Sequence, residues 1–225
     1  KVGITHKPPK DTSDRIAYYL IRMIRTGFDI FSGYSFGPIN EHKFLRRVIF
    51  LETVAGIPGM VAGSLRHLKS LRQMKRDKGW IHTLLEEAEN ERMHLLTFMQ
   101  LKQPSLMFRG MVLAAQGIFW NMYFFGYLAS PRTCHRFVGY LEEEAVKTYS
   151  HAIDALDDGL MPTWTNKPAP DIAKTYWGLS KDALMRDVLL AVRADEANHR
   201  DVNHTLSTLK QEDMNPYATP HGQNQ

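Results

Sequence analysis

One cysteine, Cys134, stands in 225 residues. A lone thiol excludes an internal disulfide framework and any Cys-based zinc or iron–sulfur site, so a metal in this chain must rest on Glu, Asp and His. The chain also lacks a linker between two compositional blocks, and it lacks a repeat of solenoid period. With 44% hydrophobic content it can bury one substantial core and reads as a single domain. The balance is basic, with a net charge of +4 and a pI near 9.1. No base-reading module accompanies that charge, which argues against nucleic acid as a partner.

What remains is helical and punctuated by proline. Residues 1–12 read as a loose arm, 13–210 as one helical domain and 211–225 as a frayed tail. The chain opens on Lys1 rather than Met, which fits a targeting segment upstream. Helices are expected near 13–31, 40–72, 77–102, 105–129, 132–158 and 180–210, with Pro38, Pro104, Pro131 and Pro162 in the breaks. Pro58 should kink the second. Residues 161–177 read as a long connection.

Within this frame a Glu-x-x-His pair occurs twice, as Glu91-Arg-Met-His94 and Glu196-Ala-Asn-His199. Positions i and i+3 share a helix face, so each pair offers a carboxylate and an imidazole to one point. Both pairs interrupt apolar stripes: Leu84, Leu95 and Phe98 around the first, Leu189, Val192, Val202 and Leu206 around the second. The polar faces of these helices are expected to carry Arg92, Arg193 and Arg200 instead. A buried carboxylate must be neutralised, paired or metal-bound. Glu52 and the run Glu142 to Glu144 lie upstream of the two pairs. One Glu from each completes the ligand set of a carboxylate-bridged di-iron or di-manganese centre in a ferritin-like, all-α four-helix bundle. From Glu142, steps of three and four reach Ala145, Tyr149, Ala152 and Leu156, an inward stripe that favours Glu142 as the ligand. Glu144 falls on a neighbouring stripe with Thr148 and His151, suited to a substrate pocket. Tyr149 is either core or a redox relay beside the metals.

Two segments are unusually apolar. Residues 111–130 carry no charge, and residues 48–65 carry only Glu52. Hydropathy alone reads the first as membrane-spanning. A crossing between His94 and Glu142 would divide the metal site between two sides of a bilayer, and a crossing by 48–65 would leave Glu52 in lipid. The consistent reading is monotopic, with apolar helices lying in one leaflet. The first helix agrees: Ile16, Leu20, Met23, Ile24, Phe28 and Phe31 oppose Arg15, Arg22 and Arg25. Basic residues crowd 66–78, where only Asp77 is acidic, and point to an anionic membrane surface.

The segments Leu51-Glu-Thr53, Asn90-Glu-Arg-Met-His-Leu95, Leu141-Glu-Glu-Glu-Ala145 and Arg193-Ala-Asp-Glu-Ala-Asn-His-Arg-Asp-Val-Asn-His204 resemble the four motifs of the alternative oxidases, the cyanide-insensitive ubiquinol oxidases of mitochondria. The resemblance runs from about residue 14 to 210 and looks greatest to the trypanosome member. It implies a homodimer on the matrix side of the inner mitochondrial membrane, with two irons, oxidising ubiquinol and reducing oxygen to water without pumping protons. By motif it implies Glu52, Glu91, His94, Glu142, Glu196 and His199 as iron ligands and Tyr149 as the catalytic tyrosine. It maps the quinol pocket onto Arg25, Asp29, Arg47, Leu51, Glu144, Ala145 and Thr148. Asn90, Asp195 and Trp177 match positions that support the site by hydrogen bonds. The regulatory N-terminal cysteine of plant members has no counterpart before Cys134, so control through that thiol is not expected. The alternatives are a membrane-bound di-iron quinone hydroxylase and a ferritin-like iron-binding protein.

Overall fold

A computed structural model describes residues 2–218. It contains α1 (Thr12–Phe31), α2 (Glu41–Ala55), α3 (Ile57–Gln73), α4 (Trp80–Met99), α5 (Leu106–Ala129), α6 (Pro131–Asp157), α7 (Asp171–Trp177) and α8 (Met185–Leu206), and no strand is present among the described residues. The helices begin where short polar side chains can cap free N–H groups. Asp11, Asn40, Ser105 and Ser130 each accept from the backbone N–H three residues on.

Three expected boundaries move. The helix expected over 40–72 is two helices, broken at Gly56 rather than merely kinked at Pro58. Pro58 has no N–H to extend the preceding ladder, and it takes a position in the first turn of α3, where none is needed. The connection 161–177 contains the short helix α7, which ends at Gly178 in the left-handed region (φ 61°). Finally, the segments read as loose are docked as far as they are described. The arm hydrogen-bonds to the bundle through Arg200 to the Gly3 carbonyl and Tyr140 to the Lys7 carbonyl. Beyond α8, Trp80 Nε1 donates to the Asp213 carbonyl, and Asn215 is buried against Gly79 and Thr83. Residues 219–225 of the expected tail lie outside the described residues.

Four helices surround the charged core. α6 packs most extensively on α8, α2 and α3 lie on α4, and α1 lies on α6. Close approach of α3 to α4 requires Gly59, whose missing Cβ would collide with the Leu84 carbonyl. One apolar cluster gathers Phe44, Phe98, Tyr149, Trp164 and Leu189, and a second gathers Ile21, Trp80, Leu84, Phe137 and Tyr140.

α5 crosses the outside of this bundle, against α2, α3 and α6. Only Tyr123 and Tyr127 of it are buried, while Leu113, Ile118, Met122, Phe125 and Leu128 stand exposed. Ile16, Met23, Ile24 and Phe31 of α1 are exposed too. Hydropathy singles out a different segment from the one expected. Among the described residues the only run long and apolar enough to span a membrane is Glu41–Gln73, with a window of mean hydropathy 1.6. Half of that window is buried inside the protein, as in a core helix, whereas Gln116, Asn121 and the glycines and tyrosines of α5 dilute its score. Arg66 also departs from the basic-surface reading. It is buried, paired with Asp77 at 2.8 Å and stacked 4.2 Å over the Trp80 ring.

Candidate metal centre

α4 and α8 each present one Glu-x-x-His face inward, α2 contributes Glu52 and α6 contributes Glu142; all six side chains are buried. Ligand atoms of Glu52, Glu91, His94 and Glu196 lie within 4.8 Å of one another, and so do those of Glu91, Glu142, Glu196 and His199. Glu91 and Glu196 belong to both groups, as carboxylates bridging two adjacent cation positions must.

The polar atoms of this cluster lack ordinary partners. Glu52 Oε2, both Glu91 oxygens, His94 Nδ1 and His199 Nδ1 are buried without a hydrogen bond. His199 Nδ1 comes within 2.7 Å of Glu91 Oε1 as a close charge contact. His94 Nδ1 faces Glu52, Glu91 and Glu196 at 3.5, 3.4 and 3.5 Å. Orphaned carboxylate and imidazole atoms converging in a buried core are costly unless a cation satisfies them. The donor set, two imidazoles and four carboxylates with no thiolate, fits iron or manganese.

Without a cation the cluster holds protons. Burial first, with Glu91 and Glu196 adding to it, pushes Glu52 up to about 8. Burial and then the charge of Glu196 raise Glu142 well above the carboxylate range. Burial disfavours the His199 imidazolium, but the adjacent Glu91 carboxylate outweighs it and lifts the group to about 9. Glu91 goes the other way: burial opposes its ionisation, and the His94 and His199 charges hold it low.

A second layer orients the first. Asp195 Oδ2 accepts from Trp177 Nε1 at 2.8 Å and Asn90 Nδ2 at 3.0 Å, and lies 3.2 Å from His94 Nε2. With that nitrogen donating to a carboxylate, the His94 proton sits on Nε2 and Nδ1 is free to ligate. Tyr149 donates to Glu52 Oε1 at 2.5 Å. It is packed between Phe44 and Phe98, and burial, then the Glu52 charge, raises its phenol well above 10.

Arg25 ties α1 to α6 through Glu144 and Thr148. It donates to Asp29 at 2.6 Å, to Glu144 Oε2 at 3.0 Å and to Thr148 at 3.3 Å. Buried Arg47 closes the group by bonding Asp29 and stacking 4.1 Å over Tyr34. Leu51 and Ala145, both half-buried, are chain neighbours of Glu52 and Glu144.

The chain matches the family described as alternative oxidase over residues 1–208. It is 54% identical over 97% of its length to the mitochondrial alternative oxidase of Ajellomyces capsulatus, covering 65% of that protein. It is 55% identical to the one from Aspergillus niger over 97% of its length and 66% of the relative's. The chain belongs to the alternative oxidase family. It spans about two thirds of the length of these curated relatives.

In this alternative oxidase chain several buried polar pairings are not legible in the sequence. Glu87, which the apolar stripe of α4 surrounds together with Glu91 and His94, is buried as that stripe implies, and accepts from Asn203 Nδ2 at 2.8 and 2.9 Å. Glu143 is buried as well, in a separate network that includes His204 Nε2 at 2.9 Å, His6 Nδ1 at 2.6 Å and the Lys7 backbone N–H. Arg136 can only donate to His204 Nδ1, which places the His204 proton on Nε2, facing Glu143. Arg200, expected on a polar face, is buried under the arm beside Asp201. No pattern within one helix announces such pairings.

Proposed function

We propose that the protein is a ubiquinol oxidase that reduces oxygen to water at a non-haem centre of two irons held by Glu52, Glu91, His94, Glu142, Glu196 and His199. The observation that carries this is the pair of overlapping ligand groups sharing Glu91 and Glu196, with their buried atoms unsatisfied. When bound, the irons supply the redox change linking two-electron quinol oxidation to four-electron oxygen reduction. Two quinols and one oxygen give two quinones and two waters, so atoms and electrons balance without a further reductant.

The chain's own residues bind and orient. Glu144, braced by Arg25 and by Lys147 at 2.6 Å, presents carboxylate oxygens to a quinol hydroxyl and accepts its proton. Thr148 and the Arg47–Asp29 pair give the polar ring a fixed orientation. Tyr149, the chain neighbour of Thr148, relays a hydrogen atom or proton in this reading, which its hydroxyl's bond to Glu52 supports. Asp195, Asn90 and Trp177 keep His94 in its ligating tautomer.

The exposed apolar faces of α1 and α5 support monotopic attachment to one leaflet of the inner mitochondrial membrane on its matrix side, aided by anionic lipid at Lys69, Arg72, Lys75, Arg76 and Lys78. Ubiquinol then reaches the pocket from the membrane. A homodimer and a single domain over 13–210 complete the reading. Turnover pumps no protons in this reading. Quinol-driven oxygen uptake with mass analysis of the ring tests the function. Sustained uptake with unmodified quinone is expected. A hydroxylated ring would identify a quinone hydroxylase, and uptake that stops once the bound iron is oxidised would identify an iron-binding protein.

A further inference from the structure

A cavity of about 450 Å³ between α4 and α8 reaches the cluster at His199, with Tyr176 and Tyr217 among its lining residues. Glu86, Glu87, Glu89 and Asp195 line it, and among the described residues no Lys or Arg does, although the chain as a whole carries a net charge of +4. The outer carboxylates are only lightly engaged, Glu89 with exposed Arg92 at 2.7 Å and Glu86 with His82 at 3.1 Å. Deeper in, Glu87 meets only the neutral amide of Asn203.

Two further observations point to a ligand. His199 is the one cluster residue that also lines this cavity; it is 5% exposed, and its Nδ1 faces Glu91 at 2.7 Å, so the cavity ends against the ligand set itself. Asn90 Oδ1, on the same wall, is a buried acceptor without a donor. Acceptor oxygens and an imidazole suit a hydrated divalent cation, and a cleft lined by one sign of charge concentrates the opposite ion. The other approach presents Arg25, Arg47 and Lys147 around Asp29 and Glu144, which disfavours a cation.

Building on the di-iron reading above, we propose that this cavity is the loading route for ferrous iron. Glu86 and Glu89 gather the hydrated ion at the mouth, and Glu87, Asn90 and His199 replace its waters on the way to the cluster. Iron and quinol then use different approaches to the site.

The test strips the protein of metal, adds ferrous iron anaerobically at low ionic strength, and measures iron per chain at successive times after rapid desalting. The double variant Glu86→Gln/Glu89→Gln alters exposed residues outside the ligand set. A control, Asp171→Asn/Glu212→Gln, removes the same charge at sites 99% and 77% exposed elsewhere. The double variant is expected to load about tenfold more slowly, to reach the same final two irons with unchanged melting, and to converge on wild type as salt is raised. Wild-type loading by the double variant, equal slowing by the control, or salt-independent loading of wild type would overturn the proposal while leaving the di-iron reading intact. Failure of wild type itself to take up iron would defeat both.

Discussion

Asp195→Asn should loosen iron without unfolding the protein. Three donors, from Trp177, Asn90 and His94, converge on one Asp195 oxygen at 2.8, 3.0 and 3.2 Å. The carboxylate is well ionised: burial opposes its charge, but the bonds from His94, Asn90 and Trp177 hold it below the usual carboxylate range. Asparagine keeps an acceptor oxygen but loses the charge, so each bond falls from the charged class, about 1.5–3 kcal/mol, to the neutral class of about 0.5–1.5 kcal/mol. The consequence for His94 is a less basic Nδ1. Loss of such an outer partner weakens metal binding about 10- to 100-fold, or about 1.4–2.7 kcal/mol. The Asp195 side chain is 26% exposed and faces the solvent cavity, so water can reach the remaining donors and the fold should survive even Asp195→Ala. Iron release to a competing chelator, followed beside thermal melting by circular dichroism, reads both quantities. Unchanged iron affinity in both variants would refute the argument that Asp195 sets the His94 tautomer.

Three other outcomes are expected. Tyr149→Phe removes one hydroxyl from a packed aromatic group, so iron content and melting should persist while turnover falls ~100-fold, about 2.7 kcal/mol in the barrier; a fully active enzyme would return Tyr149 to the core. Glu144→Gln should impair quinol oxidation with both irons retained, because Glu144 meets Arg25 and Lys147 rather than the cluster; iron loss in this variant would reassign the ligand of α6. Metal-free protein at pH 7 carries protons on Glu52 (about 8) and His199 (about 9), with Glu142 and His94 also raised. A metal binds the deprotonated ligands, so loading should acidify a weakly buffered solution and affinity should fall as pH falls. Loading with no proton release, read by an indicator dye, would contradict this.

The helical class and the positions of most helices were legible because hydrophobic spacing and proline report on local geometry. Glu91 and His94, like Glu196 and His199, could be paired on paper because i and i+3 share a face whatever the tertiary fold. Glu142 could be separated from Glu143 and Glu144 by the same periodicity, since it alone continues the stripe through Tyr149. Long-range partners left no such trace. The bonds from Glu143 to His204 and from Asp14 to Arg136 (2.9 Å) join residues 61 and 122 positions apart. The docking of Asn215 against Gly79 bridges 136. α7 was hidden because seven residues among prolines are too few to establish a period. The break at Gly56 was misplaced because proline tolerates the first turn of a helix, so Pro58 starts α3 rather than bending one long helix.

The six converging side chains would hold two irons, with Glu91 and Glu196 common to both ligand groups, and iron stoichiometry of purified wild type and of Glu196→Ala tests this most directly. Elemental analysis should find two irons per chain in wild type, with the Mössbauer signature of a coupled pair. Glu196→Ala removes a carboxylate common to both ligand groups and should lose both irons together. Two irons retained in Glu196→Ala, or a single uncoupled iron in wild type, would contradict the account.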